Sequence, residues 1–82
     1  MIDAIKSGDW VTWTNHTIAL WIVQDIDHRW DISTQRWVIE VLVSRVKELQ
    51  KNKEFLEVVP LKELKYFGRN IPLWVPCSQF DF

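Results

Sequence analysis

An 82-residue chain with ten basic and eleven acidic side chains has room for one domain and carries a net charge of -1. That balance excludes a general electrostatic pull toward nucleic acid or anionic lipid. A single cysteine, Cys77, excludes an intrachain disulfide and any multi-cysteine metal site, and favours a cytoplasmic setting.

The first ordered signal is the turn cluster Ser7-Gly8-Asp9. The residues after it, Trp10-Val11-Thr12-Trp13-Thr14, are all aromatic or β-branched and predict the first strand. Asn15-His16-Thr17 supplies a short turn, and its fit to a glycosylation sequon carries little weight without an export signal. Residues 18–25 are apolar on both alternating faces, so the second strand is expected to be central or strongly bent. Residues 27–31 and 33–35 predict a polar connection, which puts Trp30 in a loop.

Residues 36–43 predict the third strand. Trp37, Ile39, Val41 and Val43 share the core face by period two, while Val38, Glu40, Leu42 and Ser44 share the face with an exit to solvent. Residues 45–53 fit either one turn of helix, from Val46 and Leu49, or a charged hairpin; a protruding hairpin ending near Lys51-Asn52-Lys53 is the expectation. Residues 55–59 predict the fourth strand, which Pro60 ends by removing a ladder donor. Leu61, Leu64 and Phe67, spaced i, i+3, i+6, predict a short 3₁₀ or helical turn stopped by Gly68.

The Gly-Asp-x-Val opening at residues 8–11, the bent second strand, the long third strand and the closing Val-Val-Pro-Leu-Lys-Glu-Leu at residues 58–64 resemble the SH3-like small barrels, including KOW and Tudor-type domains. The resemblance covers residues 7–67 and belongs to a superfold that hosts many functions. It implies a mostly β fold, an SH3-like small barrel of about five strands with a short 3₁₀ or helical turn. The acidic-aromatic loop signature of proline-binding SH3 domains is missing, which puts that ligand class in doubt.

Residues 1–67 are accordingly expected to form the barrel and residues 68–82 an aromatic, proline-containing extension. Two prolines and no strand alternation predict an extended tail. Ile71, Leu73 and Trp74 are expected to pack back across the open end of the barrel, enlarging a small core. The alternative is docking on a partner, including a second copy in a homodimer.

No stretch nears the about 18 apolar residues of a membrane span, so no membrane role is expected. His16 and His28 fall in expected loops and Cys77 beside Pro76 in an apolar tail, which gives no nucleophile and base in reach of one another. Asp25, Asp27, His28 and Asp31 are the one cluster of hard or borderline ligands, but Arg29, Trp30 and Arg36 occupy positions where an EF-hand needs an oxygen ligand, a glycine and a glutamate. The expectation is therefore no enzyme, no metal and no cofactor.

The six tryptophans, at positions 10, 13, 21, 30, 37 and 74, carry the functional argument. Burying one removes roughly 200 Å² from water, worth about 5 kcal/mol as an upper estimate, so three or four such residues can hold a barrel of this size together. Trp13 and Trp37 are assigned to the core. Trp10 and Trp21 have opposite parity to their apolar neighbours and are expected to leave one or both indoles facing outward. With Trp30 and Trp74 they form the expected partner-binding set, with Arg29 and Lys53 as rim charges. The expectation is a non-catalytic protein-protein interaction or regulatory module. One alternative is a nucleic-acid-binding regulator using Lys47 to Lys53, disfavoured by the charge balance; the other is a small accessory subunit of a larger enzyme or redox complex.

Overall fold

The computed structural model describes residues 5–14 and 16–80. The expected turn and sequon at Asn15-His16-Thr17 fall at its gap: Asn15 and the side chains of residues 16–18 lie outside the described residues. The chain forms β1 (Trp10–Trp13), β2 (His16–Asp31), β3 (Arg36–Arg45), one helical turn α1 (Val46–Leu49), β4 (Leu56–Pro60), a 3₁₀ turn (Leu61–Glu63), β5 (Leu64–Gly68) and a second 3₁₀ turn (Cys77–Phe80). The five strands make one antiparallel sheet in the order β4-β3-β2-β1-β5. The fold is mostly β, with short helical turns, as expected.

Both faces of this sheet are buried at its centre, which is why β2 is apolar on both sides. One face gathers Val11, Trp21, Val23, Val41, Val43 and Val59. The other gathers Trp10, Leu20, Val46 and Cys77, with Ile22, Phe67, Ile71 and Phe80 packed against them. Pairing of Trp10 with Ile22 and of Val11 with Trp21 fixes this division, because residues directly opposite in an antiparallel ladder share a face.

The second face is covered by the chain's own tail. Phe80 meets Trp10 edge-on at 6.0 Å and Phe67 at 5.1 Å between ring centroids. At Gly68, where the chain turns back, the Ile71 side chain lies close over the backbone, its Cδ1 2.6 Å from where a Cβ would stand. The residues expected to make this cover are only partly the ones that do. Ile71 packs inward, but Leu73 and Trp74 are exposed, while Cys77 is buried and Phe80 half-buried in their place. A turn closed by Val75 N–H donating to Pro72 O, 3.1 Å, lifts residues 73 and 74 away from the sheet.

Three expected boundaries move. β2 continues through Asp27 to Asp31, where a polar connection was expected, and the connection shrinks to residues 32–35. Residues 46–49 form a helical turn rather than a protruding hairpin. The break before β5 falls at Leu64, so the 3₁₀ turn is three residues long and Leu64, Tyr66 and Phe67 belong to a strand.

A bulge at Gln24 bends β2 between these two halves. The Ser7-Gly8-Asp9 turn holds the bend: Ser7 Oγ donates to Gln24 O at 2.8 Å, Gly8 N–H to Val23 O at 2.8 Å, and Val23 N–H to Asp9 O at 2.9 Å. Gly8 adopts φ 92°, the left-handed region that glycine enters without steric cost.

Candidate groove between the β2–β3 hairpin and β5

Beyond the bulge, β2 and β3 run on as a two-stranded hairpin whose tip is the Ile32 to Gln35 connection. Asp31 Oδ1 accepts from Ser33 N–H at 3.0 Å and from Ser33 Oγ at 2.8 Å, an Asx turn that starts the reversal. These bonds hold the Asp31 carboxyl below the usual carboxylate range. Trp30 pairs with Trp37 across the ladder, and their rings meet edge-on at 5.5 Å. Alternation places both on the same face as Val41 and Val43, so the core face of the sheet continues outward along the hairpin and emerges into solvent.

This emergence corrects the assignment of Trp37 to the core. Parity puts its side chain on the apolar face, but that face is covered only where β1, β4 and β5 oppose it, and Trp37 is 66% exposed. Trp30 is 48% exposed, in a strand rather than a loop.

Between the hairpin and the far edge of the sheet lies a groove of about 730 Å³. Its walls are Trp37 and Ile39 of β3, Leu61 of the first 3₁₀ turn, Leu64 and Tyr66 of β5, and Ile5. Among the described residues the charged ones lining it are Arg36, Lys62 and Lys65. Glu63, adjacent to Lys62, is turned elsewhere: its Oε1 accepts from Trp13 Nε1 at 2.8 Å. Tyr66 is held from behind by the Arg69 guanidinium, 5.6 Å from its ring centroid, and Arg69 is anchored to the buried Asp9 carboxylate by two bonds of 2.9 Å. The Arg69 guanidinium keeps the Asp9 carboxyl below its ordinary range, against burial, which pushes it up.

The sequence-derived contact set does not assemble into one site. Trp10 and Trp21 are buried, at 0% and 2% exposure, because each of the two sheet faces has a cover and opposite parity leads into a second core layer. Arg29 lies on the opposite face of the hairpin from Trp30, bonded to Glu40 by Nε and Nη2 at 3.2 Å each. Lys53 is exposed beyond the C-terminal end of β3, roughly 25 Å along the strand from Trp37 at about 3.3 Å per residue. Trp74 is 78% exposed and belongs to that same end, where Gln50 Nε2 donates to Leu73 O at 2.7 Å and to Val75 O at 2.6 Å. Only Trp30 of the expected set borders the hairpin's open aromatic face.

Sequence reasoning missed Trp37, Lys62, Lys65 and Tyr66 as site residues. The neighbouring Arg36-Trp37 pair is the available signal, although on sequence alone alternating basic and aromatic residues favour the nucleic-acid alternative. His28 lies in β2, exposed, and Cys77 is buried, with its thiol pushed up by desolvation. Among the described residues no group of three His, Cys, Asp or Glu side chains is arranged to hold a metal ion, and no helix is long and apolar enough to cross a membrane. Comparison of the chain with family models, with curated proteins and with solved structures finds no match.

Proposed function

We propose that the chain is a non-catalytic interaction module that engages a protein partner through the groove between the β2–β3 hairpin and β5. The observation that carries this reading is the placement of Trp37 and Tyr66, both substantially exposed, on opposite walls of a groove of about 730 Å³. That volume lies in the range of about 300–1,000 Å³ typical of ligand sites, and exposed aromatics are the side chains that most often act as binding anchors. A cytoplasmic setting is part of the reading, supported by the buried free thiol of Cys77.

A photoreactive phenylalanine analogue at position 37, introduced in the native host, tests the reading against the same group at the exposed position 51. A discrete protein adduct at 37 that is missing at 51 is the expected result. No adduct at either position, or the same adducts at both, overturns the groove as the contact surface. With the partner in hand, Trp37→Ala is expected to weaken binding by about 2 kcal/mol or more, roughly 30-fold, as for an aromatic hot spot.

A further inference from the structure

We infer that the occupant of the groove is an acidic peptide segment bearing an apolar or aromatic anchor; this rests on the reading of the groove as the contact surface and assigns its partner's chemistry. Charge complementarity carries the inference. Among the described residues, the three charged ones lining the groove, Arg36, Lys62 and Lys65, are all cations on a chain whose net charge is -1. Two carboxylates close by in sequence are already engaged: Glu63 accepts from the Trp13 indole and Glu40 is paired with Arg29 on the hairpin's other face. The charged side chains lining the groove are therefore cationic over an apolar floor of Ile39, Leu61 and Leu64, and because Asp31 lies opposite Arg36 in the ladder, Lys62 and Lys65 carry the excess. A ligand that buries an aliphatic or aromatic side chain on this floor and sets carboxylates beside Lys62 and Lys65 satisfies both features.

The main chain adds a second feature. Among the described residues β5 is an edge strand with β1 as its one sheet neighbour, and it supplies Leu64, Lys65 and Tyr66 to the groove. An extended peptide is the form of ligand that can use an open strand edge together with side-chain anchors. Single-stranded nucleic acid shares the negative charge but fits less well. Its affinity grows with the number of phosphates neutralised, and three cations offer few such contacts.

The test is fluorescence anisotropy on the full chain with a labelled short peptide of Asp and Glu residues around a central Leu-Trp pair. A matched Lys peptide and a short oligothymidylate serve as competing probes. The acidic peptide is expected to bind, to weaken as salt is raised, and to lose roughly tenfold in affinity in the Lys62→Glu/Lys65→Glu variant, where two exposed contacts are replaced by repulsion. Lys53→Glu, at the other end of β3, is expected to leave it unchanged. A thermal melt and light scattering on each variant confirm that the fold and the mass are retained. The inference is overturned by no binding of the acidic peptide, by equal binding of the Lys peptide, by an undiminished affinity in the folded double variant, by tighter binding of the oligothymidylate, or by a dimer that buries the groove against a second copy. A chain that forms the discrete adduct at position 37 but ignores the acidic peptide keeps its role as an interaction module and loses only this assignment.

Discussion

At the scale of single residues, Asp9 does more than its place in a turn suggests. Its main chain receives Val23, its carboxylate receives Arg69 twice and Lys6 N–H once, and its side chain is 2% exposed. Removing one partner of a buried ion pair costs about 3–5 kcal/mol, but Arg69 is 39% exposed and is screened by solvent, so Asp9→Asn is expected to cost about 1–3 kcal/mol in urea unfolding at neutral pH. The pH dependence has a definite sign. A carboxyl held below its ordinary value of 3.8 contributes stability above that value and loses it as the pH falls toward the depressed one. The stability gap between the parent chain and Asp9→Asn is therefore expected to stay constant above about pH 5 and to narrow below about pH 4, measured by urea unfolding across that range. A gap that widens in acid would contradict the assignment. Gly8→Ala isolates the turn itself: an added Cβ meets no atom within 4 Å, so the expected loss of about 1 kcal/mol is purely conformational.

At the scale of elements, the β2–β3 hairpin is where sequence and structure part, and the reasons are physical. Strands in the body of the sheet announce themselves because burial demands apolar residues, as in Trp10 to Trp13 and residues 19–23. Beyond the Gln24 bulge the hairpin is solvated on much of both faces, so Asp25, Asp27, His28 and Arg29 are tolerated in a strand and read like a loop. The like-charged pair Asp27 and Glu40 sits directly opposite in the ladder, an unfavourable placement that Arg29 relieves by reaching Glu40 on the diagonal. Arg29→Ala is expected to speed amide exchange across residues 26–40, and added salt is expected to shrink the difference; unchanged exchange would show that the hairpin does not depend on this bridge. The Trp30–Trp37 contact holds the tip. Trp37→Ala is expected to lower global stability by less than about 1.5 kcal/mol, the value of an exposed aromatic pair, while shifting the Trp30 emission to the red. The helical turn at residues 46–49 was one of two readings open to a segment with Val46 and Leu49 three apart, and Val46 decides between them by burying itself against Trp10 and Leu20.

At the scale of the molecule, the sheet has two faces with different covers. The tail closes one, and the other passes from core to open groove along a single run of β3 residues. The tail's inward residues were hard to read because its prolines remove periodicity: Ile71, Cys77 and Phe80 follow no strand or helix spacing. Phe80→Ala is expected to cost about 2 kcal/mol, less than a fully buried phenylalanine because Phe80 is half-buried, whereas Trp74→Ala is expected to change stability by less than about 0.5 kcal/mol in the same urea titration. Equal losses for the two would place the tail's anchor at Trp74.

The six indoles divide into Trp10, Trp13 and Trp21, which hold the fold, Trp37 and its ring partner Trp30, beside the groove proposed to take a ligand, and Trp74, exposed on the tail. The indole N–H region of a nitrogen-15 correlation spectrum, recorded for solvent exchange and then through a titration with the acidic peptide, reads all six at once. Slow exchange is expected at Trp10, Trp13 and Trp21, fast exchange at Trp30, Trp37 and Trp74, and peptide-induced shifts centred on Trp37 with Trp74 unmoved. Fast exchange at Trp10 or Trp21, or shifts centred on Trp74, would contradict this division.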